Sequence, residues 1–548
     1  MSRNPITSPG LSRRALLAGA AGVAGAIGLA ACDSGGGGTG SGEPGGNAEQ
    51  AGKVPTFVPY ADVTPDLPGT AEGVAPVFYN FPSPPSERPG FPLPGGEPFT
   101  ALMQSLPPEM PPEQNENYKK FAEDIGTTFE VIPGTYVNYT EKFQVTMAGG
   151  DIPDLVQLIA VPEYPKLLET YFTDLTDILG GDGVKDYPGL ANIPTPTWKI
   201  STINGRIWGI AQPRPPAGVT VNYRGDIFEE RGVDPNVTVA NGEEYIELLK
   251  SLTNKDKNEF AMGADPVGWL LRTTQTMCGT PNGWKEEGGV FTHEYETEEY
   301  EMALTKAAEI IAAGCLHPNS FSDTASNSAW YKSGVSAMYV QSFVGWGGNE
   351  RSNPEWKSGN LELPKWDGGG MAPIRKSVAG YYAPIGIKKT DDDARVEQLL
   401  RIADYIASPF GTSQYLQVNY GNEGYSWEYE GPNPKKITDS PAIVPLTYNG
   451  GNSGAILFGQ GVEESVQKQH DYLSRAIPAG KDDASEGLYS ETFNSEGAKL
   501  TSASKDVMRG VLQGTMGMDA WRGFVKEWQD KVGNKSREEY AEALAASQ

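Results

Sequence analysis

The chain has 548 residues, with 44 Lys or Arg against 70 Asp or Glu, a net charge of −26, and only three Cys and three His. That length supplies more than one domain-sized unit, while the acid excess repels phosphate backbones and anionic headgroups and argues against nucleic acid as a partner. Three Cys exclude a disulfide-stapled miniature scaffold, and His293, His317 and His470 lack the spacing that zinc requires.

Residues 1–31 read as a signal peptide. Arg3, Arg13 and Arg14 are the only charges before Asp33, and Ala15–Ala31 is an uncharged Ala, Gly and Leu stretch, too short and too weakly apolar to span a bilayer well. Ser12-Arg13-Arg14-Ala15-Leu16-Leu17 resembles a twin-arginine export motif. Leu29-Ala30-Ala31-Cys32 resembles a bacterial lipobox, in which the Cys sulfur is diacylglycerated and the chain is cut just before it. Cleavage there removes three Arg and no acid, taking the net charge from −26 to −29.

Residues 32–73 read as a lipid-anchored tether, because residues 33–52 hold nine Gly and cannot bury enough apolar surface to order themselves. Val74–Phe81 predicts a first β-strand, and twelve Pro between Pro76 and Pro112 predict a long extended segment. Helix and strand signals then alternate. Glu298–Ala313 places Tyr300, Leu304, Ala307 and Ile311 on one face and stops at Gly314; Ala394–Ala407 does the same with Val396, Leu399, Ala403 and Ile406 before Ser408-Pro409. The runs Ile207–Ile210, Val335–Val340 and Tyr381–Ile387 predict strands. Such alternation predicts α/β lobes with mainly parallel sheets flanked by helices, and no internal repeat is present.

Five short patterns occur in a telling order: Met147–Asp154, Gly205–Gln212, Asn222–Pro235, Ser333–Trp346 and Gly421-Asn422-Glu423-Gly424-Tyr425. Together, behind a lipobox, they resemble the extracellular solute-binding proteins of bacterial ABC importers, family 1, and within them the lipoproteins of the oligosaccharide- and aldouronate-binding group. The resemblance runs from about Val74 to the C-terminus. It implies a two-lobed periplasmic-binding-protein-like fold of type II, hinge-connected, that closes on ligand. The boundaries expected are 74–215 for the first part of the N-lobe, 216–372 for the C-lobe, 373–415 for the N-lobe return, and 416–548 for a segment completing both. Crossovers are expected near Gln212–Val219, whose three Pro end in Gly218, and near Gly370–Ile374.

The function this implies is a non-enzymatic lipoprotein that captures an oligosaccharide, uronic-acid-containing chains among the candidates, and delivers it to the permease subunits. It would sit on the outer face of the bacterial cytoplasmic membrane, held only by lipidated Cys32, as a monomer without a cofactor. Two other readings stay open: a binding protein of this fold for a peptide or other small solute, and a secreted polysaccharide-active enzyme. The enzyme would need a carboxylate pair across a cleft, and no H-E-x-x-H, G-x-S-x-G, P-loop or Rossmann fingerprint is present. Family members often carry an Asp- and Asn-rich calcium loop; the counterpart here, Thr253–Phe260, contains Lys255 and Lys257 and reads as an exposed turn.

A sugar cleft needs aromatic platforms beside amides, carboxylates and Arg. Trp346 is the expected stacking residue. Trp269 and Arg272 would face the cleft from the second lobe, unless Trp269 packs in its core; Tyr381 and Tyr382 follow the second crossover. Asn80 ends the first strand and Arg214 lies in the first crossover, while Trp208 reads as structural. Arg214, Arg272 and Arg375 would serve a ligand carboxylate, which an Arg fork binds bidentately. In an oxidising compartment Cys278 and Cys315 are candidates for a disulfide, with two buried thiols as the alternative.

Overall fold

A computed structural model describes residues 54–135, 138–377 and 383–547; the signal peptide, Cys32, most of the tether, Tyr381 and Tyr382 lie outside that range. Two four-stranded sheets organise two lobes. The first takes β1 (Phe99–Gln104), β2 (Phe129–Gly134) and β3 (Leu155–Gln157) early in the chain. The second takes β4 (Val219–Tyr223), β5 (Phe260–Gly263), β6 (Ser336–Ser342) and β7 (Gly359–Leu361). The chain then returns to the first sheet as β8 (Ile385–Ile387).

Alternation along the first sheet decides its two faces. Ala101, Met103, Leu155, Ile385 and Ile387 point into one hydrophobic cluster together with the helix Asp393–Ile406, while Leu102 and Val156 point into another with Tyr139, Phe143 and Tyr164. β1 pairs in parallel with β2 and β3, and β8 runs antiparallel to β3. The second sheet departs from the parallel expectation. β6 is parallel to β5, but β4 is antiparallel to both β6 and β7. β4 is the strand by which the chain enters this lobe, and it arrives from the hinge side against the direction of its neighbours.

Local chemistry explains the well-read elements. The helix Glu298–Ala312 is capped by Thr297, whose side chain accepts from Tyr300 N–H, and buries Tyr300, Leu304 and Ala307. Helix Asp393–Ile406 is capped by Asp392. The helix Tyr139–Gly149 stops at Gly150, whose φ of +74° only glycine adopts readily, and the chain turns into β3. Other expectations shorten. The first strand is Val77–Phe78 alone, paired with Leu457–Phe458, and Ile207–Ile210 yields a two-residue strand plus an isolated bridge from Ile210 to Ile385.

The hinge region is a bundle of three chain stretches. Gly218 has φ +67°, and a Cβ there would run into the carbonyl oxygen of Arg375, so the first two crossovers touch backbone to backbone. Lys376 N–H donates to Lys481 O at 2.9 Å and Lys481 N–H to Ile374 O at 2.8 Å, which adds a third strand-like stretch. A hydrophobic cluster covers them, in which Ala217, Ile374 and Ile477 meet Val74, Val77 and Trp346. The C-terminal helices Ala498–Leu512, Met518–Trp528 and Asn534–Ala546 pack Met508, Trp521, Trp528 and Tyr540 into the second lobe's core. Among the described residues no helix is long and apolar enough to cross a membrane.

Candidate functional site

Trp269 lies in a π-helical turn, Pro266–Leu270, begun by Asp265, whose carboxylate accepts from Val267 N–H at 3.2 Å. Such turns widen the helix and displace side chains, and they recur at functional sites. The helix Leu271–Met277 continues from it and places Arg272 so that its guanidinium sits over the Trp269 ring, 5.7 Å from the centroid. Trp269 is half-buried, with part of the ring packed against the second lobe's core. Arg272 is exposed by area, yet burial by surrounding atoms and the nearby Arg375 lower its pKa. Among the described residues it makes no ion pair, so its fork is available.

Arg375 behaves differently. Its Nε donates to Pro281 O at 3.1 Å, and its two terminal nitrogens donate to Gln275 and to the Glu294 carboxylate. The side chains of Arg375 and Glu294 are 13% and 15% exposed. Burial pushes the Glu294 carboxyl above its ordinary range even though Arg375 pulls it down. This arginine ties the second crossover to the second lobe and spends three of its five N–H donors within the protein.

A strap, residues 482–491, links the lobes beside this network. Asp483 accepts from Trp284 N–H at 3.2 Å on the second lobe. Gly487 O then accepts from Asn204 N–H at 2.9 Å, and Tyr489 OH donates to Val161 O at 3.3 Å, on the first. Midway, burial pushes the Glu486 carboxyl up to about 7, against the opposing pull of Lys199 and Lys376 and with the help of Asp482 and Asp483.

Next to the strap, Ala160, just beyond β3 of the first lobe, and residues of the second lobe's C-terminal helices enclose a cavity of about 340 Å³, lined on the second-lobe side by His293, Tyr295, Phe493 and Trp528 among others. Because both lobes border it, anything bound there couples them. A larger cavity of about 910 Å³ is lined by the Pro-rich segment around Phe91 and the helix carrying Arg395 and Arg401. Its walls belong to the first lobe alone, so its occupant has no hold on the second.

The residues expected from sequence do not all converge. Trp346 is 4% exposed, packed edge-on to Phe343 and Tyr472 in the hinge cluster, so it braces the crossovers and has no open face for a sugar. Asn80 is exposed, accepting from Asn433 Nδ2 at 3.0 Å, and Arg214 borders a separate cavity of about 260 Å³ with Asn452 and the N-terminal segment. Tyr381 and Tyr382 lie outside the described residues. Trp208 is buried in a first-lobe cluster. The stretch Asn254–Glu259 closes on itself as a tight bridge with Asn258 at φ +58°. Cys278 and Cys315 are both buried free thiols, a correction to the expected bridge. They occupy different environments: Cys278 lies near Lys306 and Asp367, whereas Cys315 hydrogen-bonds with Thr253 near Lys250. His293, the strap and the C-terminal aromatics carry no local motif, and only the arrangement of distant segments brings them together.

The polygalacturonan/rhamnogalacturonan-binding protein YtcQ of Bacillus subtilis (strain 168) is 22% identical over 429 residues, 74% of this chain and 83% of that protein. Lipoprotein LipO of the same organism is 20% identical over 458 residues, covering 78% and 89%. Among solved structures, the N-glycan transport solute binding protein NgtS of Streptococcus pneumoniae superposes with a TM-score of 0.58 at 15% identity, over 83% of this chain and all of that one, which establishes the two-lobed fold. The sequence pattern of bacterial extracellular solute-binding proteins, which are substrate-binding proteins rather than enzymes, matches residues 116–421, more than half of the chain, and the chain belongs to that family.

Proposed function

We propose that this protein is the substrate-binding lipoprotein of an ABC importer, capturing an oligosaccharide in the recess between its lobes and handing it to the permease without cleaving it. The observation that carries this reading is the exposed Arg272 guanidinium over the Trp269 ring: an apolar ring for the C–H face of a sugar beside a cationic fork that has no ion pair among the described residues. That pairing favours chains that carry a carboxylate, in keeping with the polygalacturonan and rhamnogalacturonan named for the relative YtcQ. Export through the signal peptide, by the twin-arginine route, and anchoring through diacylated Cys32 complete the reading, supported by the motifs at residues 12–17 and 29–32 and by the likeness to a lipoprotein. The lobe boundaries near residues 216, 372 and 415 belong to it as well, as does a monomeric state.

Galacturonic-acid oligomers and neutral oligosaccharides of equal length, titrated by calorimetry against wild type and Arg272→Ala, test the site. Loss of the charge-assisted fork is expected to weaken acidic oligomers by tenfold or more and neutral ones by less than threefold. Equal losses for the two would remove Arg272 from carboxylate recognition.

A further inference from the structure

The cavity beside Ala160 has a chemistry of its own. Nδ1 of His293 accepts the N–H of Tyr295 at 3.3 Å, so that nitrogen carries a lone pair. Burial and the neighbouring Arg375 lower the imidazole's pKa to about 3, so the ring is neutral and its one proton sits on Nε2. His293 is 6% exposed and is wedged against Trp528, at 4.5 Å between ring centroids, and Trp284, at 4.8 Å, so the ring has no room to turn. Among the described residues Nε2–H meets no acceptor, and His293 lines the cavity. That nitrogen is not sealed in the core, so an acceptor entering the cavity can reach it.

The other polar groups on the wall complement that donor. Asn494 spends its Nδ2 on Ser490 O at 2.8 Å, leaving its carbonyl oxygen to accept. Thr501 Oγ1 donates to Gly497 O at 3.3 Å and keeps lone pairs. Among the described residues no charged side chain lines the cavity, and aromatic rings form much of the remainder. A carboxylate placed here would be desolvated without a partner.

From this geometry we infer that the cavity is a subsite for one uncharged sugar ring, whose C–H face lies on the Trp528 and Phe493 rings and whose hydroxyls accept from His293 Nε2–H and donate to Asn494 and Thr501. The inference rests on the oligosaccharide reading and adds to it: the ligand carries a neutral unit as well as the acidic one held at Arg272. The subsite depends on the C-terminal helices and on Ala160 together, so filling it also engages both lobes.

The three histidines make the test selective. In protein labelled with 15N-histidine, the His293 ring signals report the Nε2–H tautomer directly, with His317 and His470 as internal controls. Methyl β-galactoside, taken to its solubility limit, is expected to shift the His293 signal, while galacturonic acid at equal concentration leaves it in place. Thr501 is exposed, so Thr501→Trp fills the cavity without opening the core, and should weaken the methyl galactoside response tenfold or more. A His293 signal unmoved by the neutral glycoside, or moved equally in the Thr501→Trp variant, overturns the subsite. If acidic oligomers bind by calorimetry while His293 never responds, the subsite falls and the oligosaccharide reading stands. If His293 never responds and neither acidic nor neutral oligomers bind by calorimetry, both fall.

Discussion

Replacing Arg375 by Met removes the cation that neutralises Glu294 at the second crossover and leaves the carboxylate of a 15%-exposed side chain without its ion-pair partner, held only by a backbone hydrogen bond from Gly283. It also strips the donors to Pro281 O and Gln275. Removing one member of a buried pair costs about 3–5 kcal/mol when the other stays charged. Partial exposure of both groups places the expected loss near the lower end, about 3 kcal/mol at pH 8. The dependence on pH follows from the direction of the Glu294 shift. Burial already raises its folded pKa above the unfolded 4.5, and losing Arg375 raises it further. The folded variant therefore holds its proton to higher pH than folded wild type does, and the loss relative to wild type grows as pH rises through the raised range of the wild-type carboxyl. Near pH 4.5 only the lost hydrogen bonds remain, about 1 kcal/mol. Urea unfolding at pH 4.5, 6 and 8 measures the trend, and the double variant Arg375→Met with Glu294→Gln should recover more than half the loss at pH 8. A loss independent of pH, or a double variant no more stable than the single one, would refute the reasoning.

Glu486→Gln should match wild type near pH 4.5 and become the more stable protein by about 1–2 kcal/mol at pH 8, because the wild-type carboxyl, pushed up to about 7, resists ionising in the folded state; unfolding midpoints that run parallel across pH would count against it. Gly218→Ala puts a Cβ against Arg375 O at positive φ and should cost about 2 kcal/mol or more by denaturation, with an unchanged midpoint contradicting the close approach of the crossovers. Denatured, non-reduced mature protein should alkylate at both Cys278 and Cys315, and in the native state both should react slowly, since burial pushes the Cys278 thiol up to about 12 and raises that of Cys315. A mass lower by two hydrogens, with no thiol to alkylate, would mean a disulfide.

Much of the architecture is legible because the signals are local. The stripe in 298–312 and the capped helix 393–406 need only their own residues to be recognised. Gly218 likewise announces itself, as a glycine ending a proline-rich crossover. Trp346 does not, because what buries it is Tyr472, more than a hundred residues downstream, and the N-terminal Val74 and Val77. An aromatic after a strand and loop reads the same whether its face meets solvent or a distant helix. The direction of β4 is hidden for a related reason: alternation of helix and strand reports the elements, whereas the path of a crossover sets their sense. His293 is set aside in sequence because it lacks metal-ligand spacing, yet its proposed role depends on Tyr295, Trp528 and a cavity built from four separated segments. Trp269 and Arg272, three residues apart at a helix start, are the pair whose geometry the sequence could carry.

Capture without chemistry is what sets a binding protein apart from an enzyme acting on the same chains. Calorimetric titration of the mature protein with galacturonic-acid oligomers, followed by chromatography of the recovered ligand, tests it most directly. Saturable binding at micromolar concentrations or tighter is expected, with every oligomer recovered at its original length. Shortened or unsaturated products, or no binding by any acidic or neutral oligosaccharide, would contradict it.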